Sequence, residues 1–348
     1  MSEGLLWRRG AAGEELAFPH PAMHETQCSG TNKIKMFKSK TVIFFFVFSA
    51  LILAFYQTLR IDAAEYDKKL IRHTTIINNT VEYPYKYRLL NPYITHIYFS
   101  VLKTFLSEKA SFLIAYLIQN LLVYGFLIFA VFNFLNLWFD DTGSIVGTLI
   151  FALIIPLSLT GYDTLGDMTT AALMALGFCC INKGKIFMLY PIVFIGSFNE
   201  MQIILLIIFY FIGSKPNFTT KQAWLNFFGL TAVFVLAYVI IHFIRGGQAA
   251  GGDVVWFFTK DAAYNIAHKG WIVLWFIMIA PFIYFVFKDF KLKPDFLKRN
   301  LLFTLPVFYF IAFFFIGRMR EIDKALTIFL ILIPLALYSL LPNNLKKQ

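Results

Sequence analysis

The chain has 348 residues, of which 59% are hydrophobic, 19% are aromatic and only 15% are charged. Soluble domains carry about 25% charged residues, so this composition excludes a soluble globular protein and predicts a surface that is covered by lipid. The net charge of +11 does not indicate a nucleic-acid partner, because the basic residues lie in short loops between apolar runs, as topology signals beside membrane lipid do.

The first 35 residues differ from everything that follows them. They are mixed in composition and lack sustained periodicity, whereas Met36 opens a segment that reads like the beginning of a membrane protein. We therefore predict that residues 1–35 are a disordered tail or a translation extension. Residues 36–348 are predicted to form one transmembrane helical domain.

Ten apolar runs follow in chain order. A helix needs roughly 20 residues to cross a bilayer, and three runs in the middle of the chain are too short to cross comfortably. The runs are 41–59, 111–137, 144–160, 168–181, 186–197, 200–213, 222–243, 270–287, 300–316 and 325–341. The pattern predicts an all-α polytopic membrane protein with about ten hydrophobic helices, including short or broken central ones.

The segment 186–213 is either one long helix or two short helices separated near Ser197–Glu200. With a break, the basic loops at 183–185, 215–221 and 288–299 fall on the same side as both chain ends. Without a break, the most basic loop falls outside, against the preference of Lys and Arg for the cytoplasm. We therefore predict the break, with both termini in the cytoplasm and the chain in the inner (plasma) membrane.

The first outer loop, residues 60–110, is predicted to contain an amphipathic helix over 92–106. Asn91-Pro92 is a helix-start signal, with asparagine as the cap and proline in the first turn. Apolar residues then recur on one face, at Ile94, Ile97, Tyr98, Val101, Leu102 and Phe105. We expect this helix to lie flat in the membrane interface; a packed surface helix is the alternative.

Two acids follow the first span. A carboxylate at Asp62 or Glu65 can act as a general base that takes a proton from an acceptor hydroxyl. Asp62 is nearer the membrane, and Glu65 lies one helical turn further along. The alternative is a charged stretch that merely ends the helix.

Three more acids fall on the same predicted outer side. Asp163 and Asp167 precede a short helix, where they can orient a substrate, bind a divalent metal or cap the helix. Glu200 is flanked by apolar sequence, and an ionisable group at that depth is costly unless it is paired or hydrated. We predict a substrate-binding role for Glu200, with a structural ion pair to an arginine of another span as the alternative.

Four arginines lie near the predicted outer ends of the spans. Arg318 and Arg320 precede the last span together with Glu321, Arg245 precedes a glycine-rich loop, and Arg88 lies in YKYRLLNP. Arginine pairs with phosphate oxygens and stays charged when partly buried. These residues are predicted to hold a phosphorylated head group; ordinary snorkelling and salt bridging is the alternative.

In this arrangement the chain resembles the GT-C type of polytopic glycosyltransferases, which use polyprenyl-phosphate-linked sugars. The resemblance rests on the cytoplasmic N-terminus, the acids after the first span and the interfacial helix. The segment YDTLGDMTTAALMALGFCCINKGKIFMLYPIVFIGSFNEMQIILL is also similar to the family's middle region. The resemblance covers most of 36–348.

The resemblance implies sugar transfer on the outer face of the membrane, in the assembly of a cell-envelope glycan or glycolipid. It implies that Asp62 is the base and that Arg318, Arg320 or Arg245 stabilises the leaving lipid phosphate. The implied partners are membrane lipid and a polyprenyl-phosphate-linked sugar, and a divalent metal is the one cofactor left open.

Two other classes stay open. A polymerase or ligase of lipid-linked polysaccharide shares this topology and the outer arginines but needs no early carboxylate. A flippase or other transporter of lipid-linked sugars needs a cavity that reaches the midplane and movement between two halves. The polar residues cluster outward, which ranks the transporter third.

Overall fold

A computed structural model describes residues 40–81, 85–159, 161, 164–213, 220–246 and 254–346. The predicted tail at 1–35 and the candidate Asp163 lie outside these residues.

Eight helical segments in the described part of the chain are long and apolar enough to cross a membrane. They are Phe44–Asp62, Glu108–Leu135, Asp141–Ser158, Leu165–Asn182, Lys221–Arg245, Gly270–Phe287, Asp295–Phe315 and Ile322–Leu340. Two shorter apolar segments, Ile186–Ser197 and Met201–Gly213, correspond to the short central runs. The predicted architecture is therefore confirmed, and the chain is an all-α, multi-pass membrane protein.

The α-helices are numbered in chain order. They are α1 Lys40–Phe55, α2 Tyr66–Ile77, α3 Leu90–Leu102, α4 Glu108–Leu135, α5 Asp141–Ser158, α6 Leu165–Asn182, α7 Leu189–Ser197, α8 Ile204–Gly213, α9 Lys221–Arg245, α10 Val254–Ala267, α11 Gly270–Phe287, α12 Asp295–Arg299, α13 Ala312–Ile316 and α14 Leu326–Leu340. A π-helix over Tyr56–Asp62 continues α1, and a second π-helix over Asn300–Ile311 joins α12 to α13. The second contains Pro306, which cannot donate a backbone hydrogen bond and so disturbs regular α-helix.

The predicted break inside 186–213 is present. Helix α7 ends at Ser197, and a 3-10 turn at Met201–Ile203 leads into α8. Between them Glu200 has extended backbone, with φ −156° and ψ 146°. Non-helical backbone at membrane depth must be lined by protein or water, which makes this break a place where polar groups collect.

Helix α6 and the last span form the centre of the bundle. About four-fifths of each is enclosed, with 78% of Leu165–Asn182 and 83% of Ile322–Leu340 buried, against 17% of Gly270–Phe287. Gly177 lets α8 approach α6, since a Cβ there would lie 2.6 Å from Leu206 Cδ1. The later part of α6 is thus packed closely against α8.

The loop between the first two spans contains two helices, of which only one was predicted. Helix α3 corresponds to the predicted 92–106, and its apolar side chains Ile97 and Val101 are exposed, as a helix in contact with lipid requires. Asn91 does not cap α3 and is instead buried. Helix α2 has no counterpart in the prediction, because its buried face carries Lys69 and His73 in place of an apolar stripe.

Candidate functional site

A buried polar cluster connects the loop between the first two spans to the break between α7 and α8. Arg88 Nη1 lies 2.8 Å from Glu200 Oε1, and Asn91 Nδ2 donates to Asn199 Oδ1 at 2.8 Å. These segments are far apart in the sequence but close together at the ends of their helices. These contacts place the loop between the first two spans and the break in one site.

Asn91 is the centre of this cluster. Its Nδ2 also donates to Thr169 Oγ1 at 2.9 Å, and its Oδ1 accepts from Gln119 Nε2 at 2.9 Å. Asn91 is only 5% exposed, so each of these hydrogen bonds is made away from water. One side chain therefore links α3, α4, α6 and the break.

Glu200 is the buried anion of the cluster. Besides its ion pair with Arg88, it accepts a hydrogen bond from Thr170 Oγ1 at 3.2 Å. Gly166 permits this close approach, because a Cβ at that position would lie 3.2 Å from Glu200 Oε1. Glu200 is therefore paired with an arginine, as the alternative expected, but Arg88 belongs to the loop before α3 and not to another span.

Asp167 lies beside this pair. It is buried in the first turn of α6. Within the described residues, Asp167 Oδ1 accepts no hydrogen bond. Across the same part of the chain, no group of three or more His, Cys, Asp or Glu side chains is arranged to hold a metal ion.

Asp62 is fully buried and forms an ion pair with Lys69. The distance from Lys69 Nζ to Asp62 Oδ1 is 2.6 Å, and Gln57 and Asn120 each donate to the carboxylate at 3.0 Å. Lys69 Nζ also lies 3.8 Å from the centre of the Tyr116 ring. Asp62 therefore contacts Lys69 from behind and does not line the neighbouring cavity, whereas Lys69 does.

The cavity has a volume of about 40 Å³ and a basic wall. Lys69, Arg72 and Arg88 line it together with His73. A single water needs about 10–15 Å³ by this measure, so the cavity has room for a few waters or one phosphate-sized group. Its shape and charge suit a small anion.

The three cationic side chains of the wall differ in their partners. Lys69 is paired with Asp62 and Arg88 with Glu200, but Arg72 has no carboxylate partner among the described residues and stacks 3.8 Å above the Tyr85 ring.

His73 is a neutral part of the same wall. Burial, with His96 and Lys69 adding to it, lowers the pKa of His73 to about 4. His73 is therefore uncharged at neutral pH, so the cationic side chains of the wall are Lys69, Arg72 and Arg88.

An apolar groove of about 500 Å³ adjoins the cavity. It lies between α3, α4, α6 and α7, and its rim includes the exposed side chains Leu122 and Ile195. The groove therefore opens onto the lipid-facing surface. Asn91 lines both the groove and the cavity, so the two spaces meet at this residue.

Two other candidates of the sequence analysis lie near the cavity but outside its wall. Glu65 is half-exposed and pairs with Lys68 at 2.6 Å. Arg245 is buried and donates from Nη1 to the carbonyl of Ile76 at 2.7 Å. Ile76 itself lines the cavity, so Arg245 supports the end of α2 from behind.

The residues before the last span are separate from the cavity. Arg318 is half-exposed and lies 3.9 Å from Asp261, Arg320 is exposed, and Glu321 pairs with Lys324. None of these side chains lines the cavity, so Arg88 is the one predicted arginine that does.

Sequence reasoning missed the residues of α2 that form the basic wall. Lys69, Arg72, His73 and Ile76 follow the spacing i, i+3, i+4, i+7, which is the signature of one helical face. The sequence signal for this face is the helical spacing of its polar residues together with Ile76.

No family model matches the chain, and no curated protein or solved structure matches it either.

Proposed function

We propose that this protein is a membrane glycosyltransferase that moves a sugar from a polyprenyl-phosphate-linked donor to an acceptor on the extracytoplasmic face, in the assembly of a cell-envelope glycan or glycolipid. The observation that carries the proposal is the meeting of a basic, phosphate-sized cavity and an apolar, lipid-facing groove at Asn91. A lipid phosphate has the same two parts, a small anion joined to a long apolar chain.

The phosphate of the donor occupies the cavity in this proposal. Arg72 and Arg88 donate to its oxygens, and Lys69 contributes a third positive charge. Hydrogen bonds between ionised groups are short and strong, and they gain strength where water is excluded. Arg72 has no carboxylate partner among the described residues and so can bind an anion, whereas Lys69 and Arg88 already have carboxylate partners.

The first isoprene units of the tail lie in the groove. Its lining is apolar apart from Asn91, Gln119 and Thr169, which meet at its inner end next to the cavity. Burial of apolar surface is favourable by about 25 cal/mol per Å², although membrane lipid competes for the same surface. The groove therefore adds to the affinity as each isoprene unit enters it, and it directs the phosphate toward Arg72.

Sugar transfer in this proposal is a direct displacement at the donor. The acceptor hydroxyl attacks the sugar carbon, and the bond from that carbon to the phosphate oxygen breaks. The electron pair leaves with the lipid phosphate, whose growing negative charge is met by Arg72, Arg88 and Lys69. Asp62 keeps Lys69 in position, and Glu200 does the same for Arg88. The chain acts in the inner (plasma) membrane with both termini in the cytoplasm.

The test is release of polyprenyl phosphate by purified protein in lipid nanodiscs supplied with polyprenyl-phosphate-linked sugars. We expect Arg72→Gln to lower the release rate about 100-fold, because it removes charge-assisted hydrogen bonds of about 1.5–3 kcal/mol each. The matched control is Arg60→Gln, which removes the same charge from an exposed position at the end of the first span.

Two results contradict the proposal. One is equal release by Arg72→Gln and Arg60→Gln. The other is no release from any donor by the unmodified protein. In the second case, consumption of diphosphate-linked oligosaccharide favours a polymerase or ligase, and movement of intact lipid-linked sugar between leaflets favours a flippase.

A further inference from the structure

A row of three hydrogen-bonding side chains leads away from the cavity. Tyr116 Oη lies 3.1 Å from His73 Nδ1, and His73 Nε2 lies 3.2 Å from His96 Nδ1. Tyr116 and His73 line the cavity, whereas His96 is outside its wall and partly exposed. The three groups belong to α4, α2 and α3, so their alignment depends on the packing of three helices.

From this arrangement we infer that Tyr116, His73 and His96 form a proton relay that removes the proton of the acceptor hydroxyl during sugar transfer. The inference rests on the proposed function and adds to it the identity of the base. Tyr116 touches the substrate in the cavity, His73 passes the proton on, and His96 receives it.

The proton and electron balance is complete within the chain and its substrates. The hydroxyl oxygen bonds to the sugar carbon, and its proton passes to Tyr116 Oη. The proton of Tyr116 moves to His73 Nδ1, and the proton on His73 Nε2 moves to His96 Nδ1, which leaves His96 as an imidazolium. The carbon–oxygen bond to the phosphate breaks, and its electron pair leaves on the lipid phosphate.

The surroundings of the relay favour this direction of transfer. Lys69 Nζ lies 3.8 Å from the Tyr116 ring centre, where it stabilises negative charge as the phenol gives up its proton. Burial keeps His73 neutral at neutral pH, so its Nδ1 is free to accept. The rings of Phe99 and Phe112 pack edge-on against His73 and hold the imidazole in one orientation. The polar groups that face His73 are Lys69, Arg72, His96 and Tyr116.

The relay supplies a base inside the cavity, which Asp62 does not line. A general base has to come within hydrogen-bond reach of the proton that it takes. Asp62 is fully buried behind Lys69, and its oxygens accept from Gln57 and Asn120. Tyr116 satisfies the geometric requirement, whereas Asp62 reaches the cavity only through Lys69.

Steady-state kinetics with a polyprenyl-phosphate-linked donor test the relay. We expect Tyr116→Phe and His96→Gln each to lower kcat about 100-fold, since a positioned base contributes roughly 10²–10⁴-fold, while polyprenyl phosphate binds to both variants as to the unmodified protein. The controls are Tyr66→Phe, a tyrosine whose ring packs on Phe112 outside the cavity, and His242→Gln at an exposed site.

The pH profile separates a relay from a structural role. The pH profile of kcat for His96→Gln is expected to differ from that of the unmodified protein, because a relay ends on a group that accepts a proton and a structural contact does not. Added imidazole restores part of the activity of His96→Gly. Variants that keep the kcat and pH profile of the unmodified protein overturn the relay alone. Absence of polyprenyl phosphate release by the unmodified protein overturns the proposed function, and the relay with it.

Discussion

Replacing Arg88 with methionine is expected to lower the free energy of unfolding by about 3–5 kcal/mol, since it leaves a buried carboxylate without its cation. Glu200 is only 5% exposed, and Arg88 Nη1 is its one ion-pair partner in the described chain. The hydrogen bond from Thr170 is too little to compensate a buried charge. The loss is measured by thermal or denaturant unfolding in detergent micelles.

The double variant Arg88→Met, Glu200→Gln isolates the cause. Glutamine keeps the shape of Glu200 and removes its charge, so most of the lost stability is expected to return. Lys103→Met is the matched control, because Lys103 pairs with Glu108 at 2.7 Å but both side chains are more than half exposed. Such surface pairs are worth about 0–1 kcal/mol. An Arg88→Met cost no larger than that of Lys103→Met would contradict the account.

Asn91→Leu is the second change with a large expected effect. It removes the hydrogen-bond partner of Gln119 Nε2 and of Asn199 Oδ1 and one partner of Thr169, and an unpaired buried polar group costs about 1–3 kcal/mol. We expect a loss of about 3 kcal/mol or more in the free energy of unfolding. We also expect loss of donor binding, since the cavity and groove meet at Asn91.

The control for Asn91→Leu is Asn133→Leu on α4. Asn133 is partly buried and donates only to the Phe129 carbonyl of its own helix, so its loss leaves no side chain of another helix unpaired. Both variants replace an asparagine amide with the apolar side chain of leucine. Equal effects on unfolding would show that the Asn91 hydrogen bonds do not hold the four segments together.

The helices and the central break were predictable because both follow from local quantities. Hydropathy marks each span, and the basic loops favour the broken form of 186–213 over a single helix. The structure confirms the short helices on either side of Glu200. The side of the membrane on which each loop lies stays a prediction, because helix packing is the same in either orientation.

The pairings within the site were not predictable in the same way. Arg88 and Glu200 were each selected from the sequence, but their contact depends on the packing of α3, α6 and the break. Asn91 carried a strong local cap signal, and tertiary contacts use its amide instead. The buried face of α2 was not predicted, because it carries Lys69 and His73 where an apolar stripe would mark a packed helix.

The most direct test of the central claim is the affinity of the protein in nanodiscs for lipid phosphates of increasing prenyl length. The account predicts that affinity rises with length until the groove is filled. Ile195→Trp, which narrows the rim of the groove, should abolish this dependence on length, whereas Leu153→Trp on the exposed face of α5 should leave it unchanged. Arg72→Gln should weaken binding at every length. Affinity that is independent of tail length, or equal behaviour of the two tryptophan variants, would contradict a single lipid phosphate shared between cavity and groove.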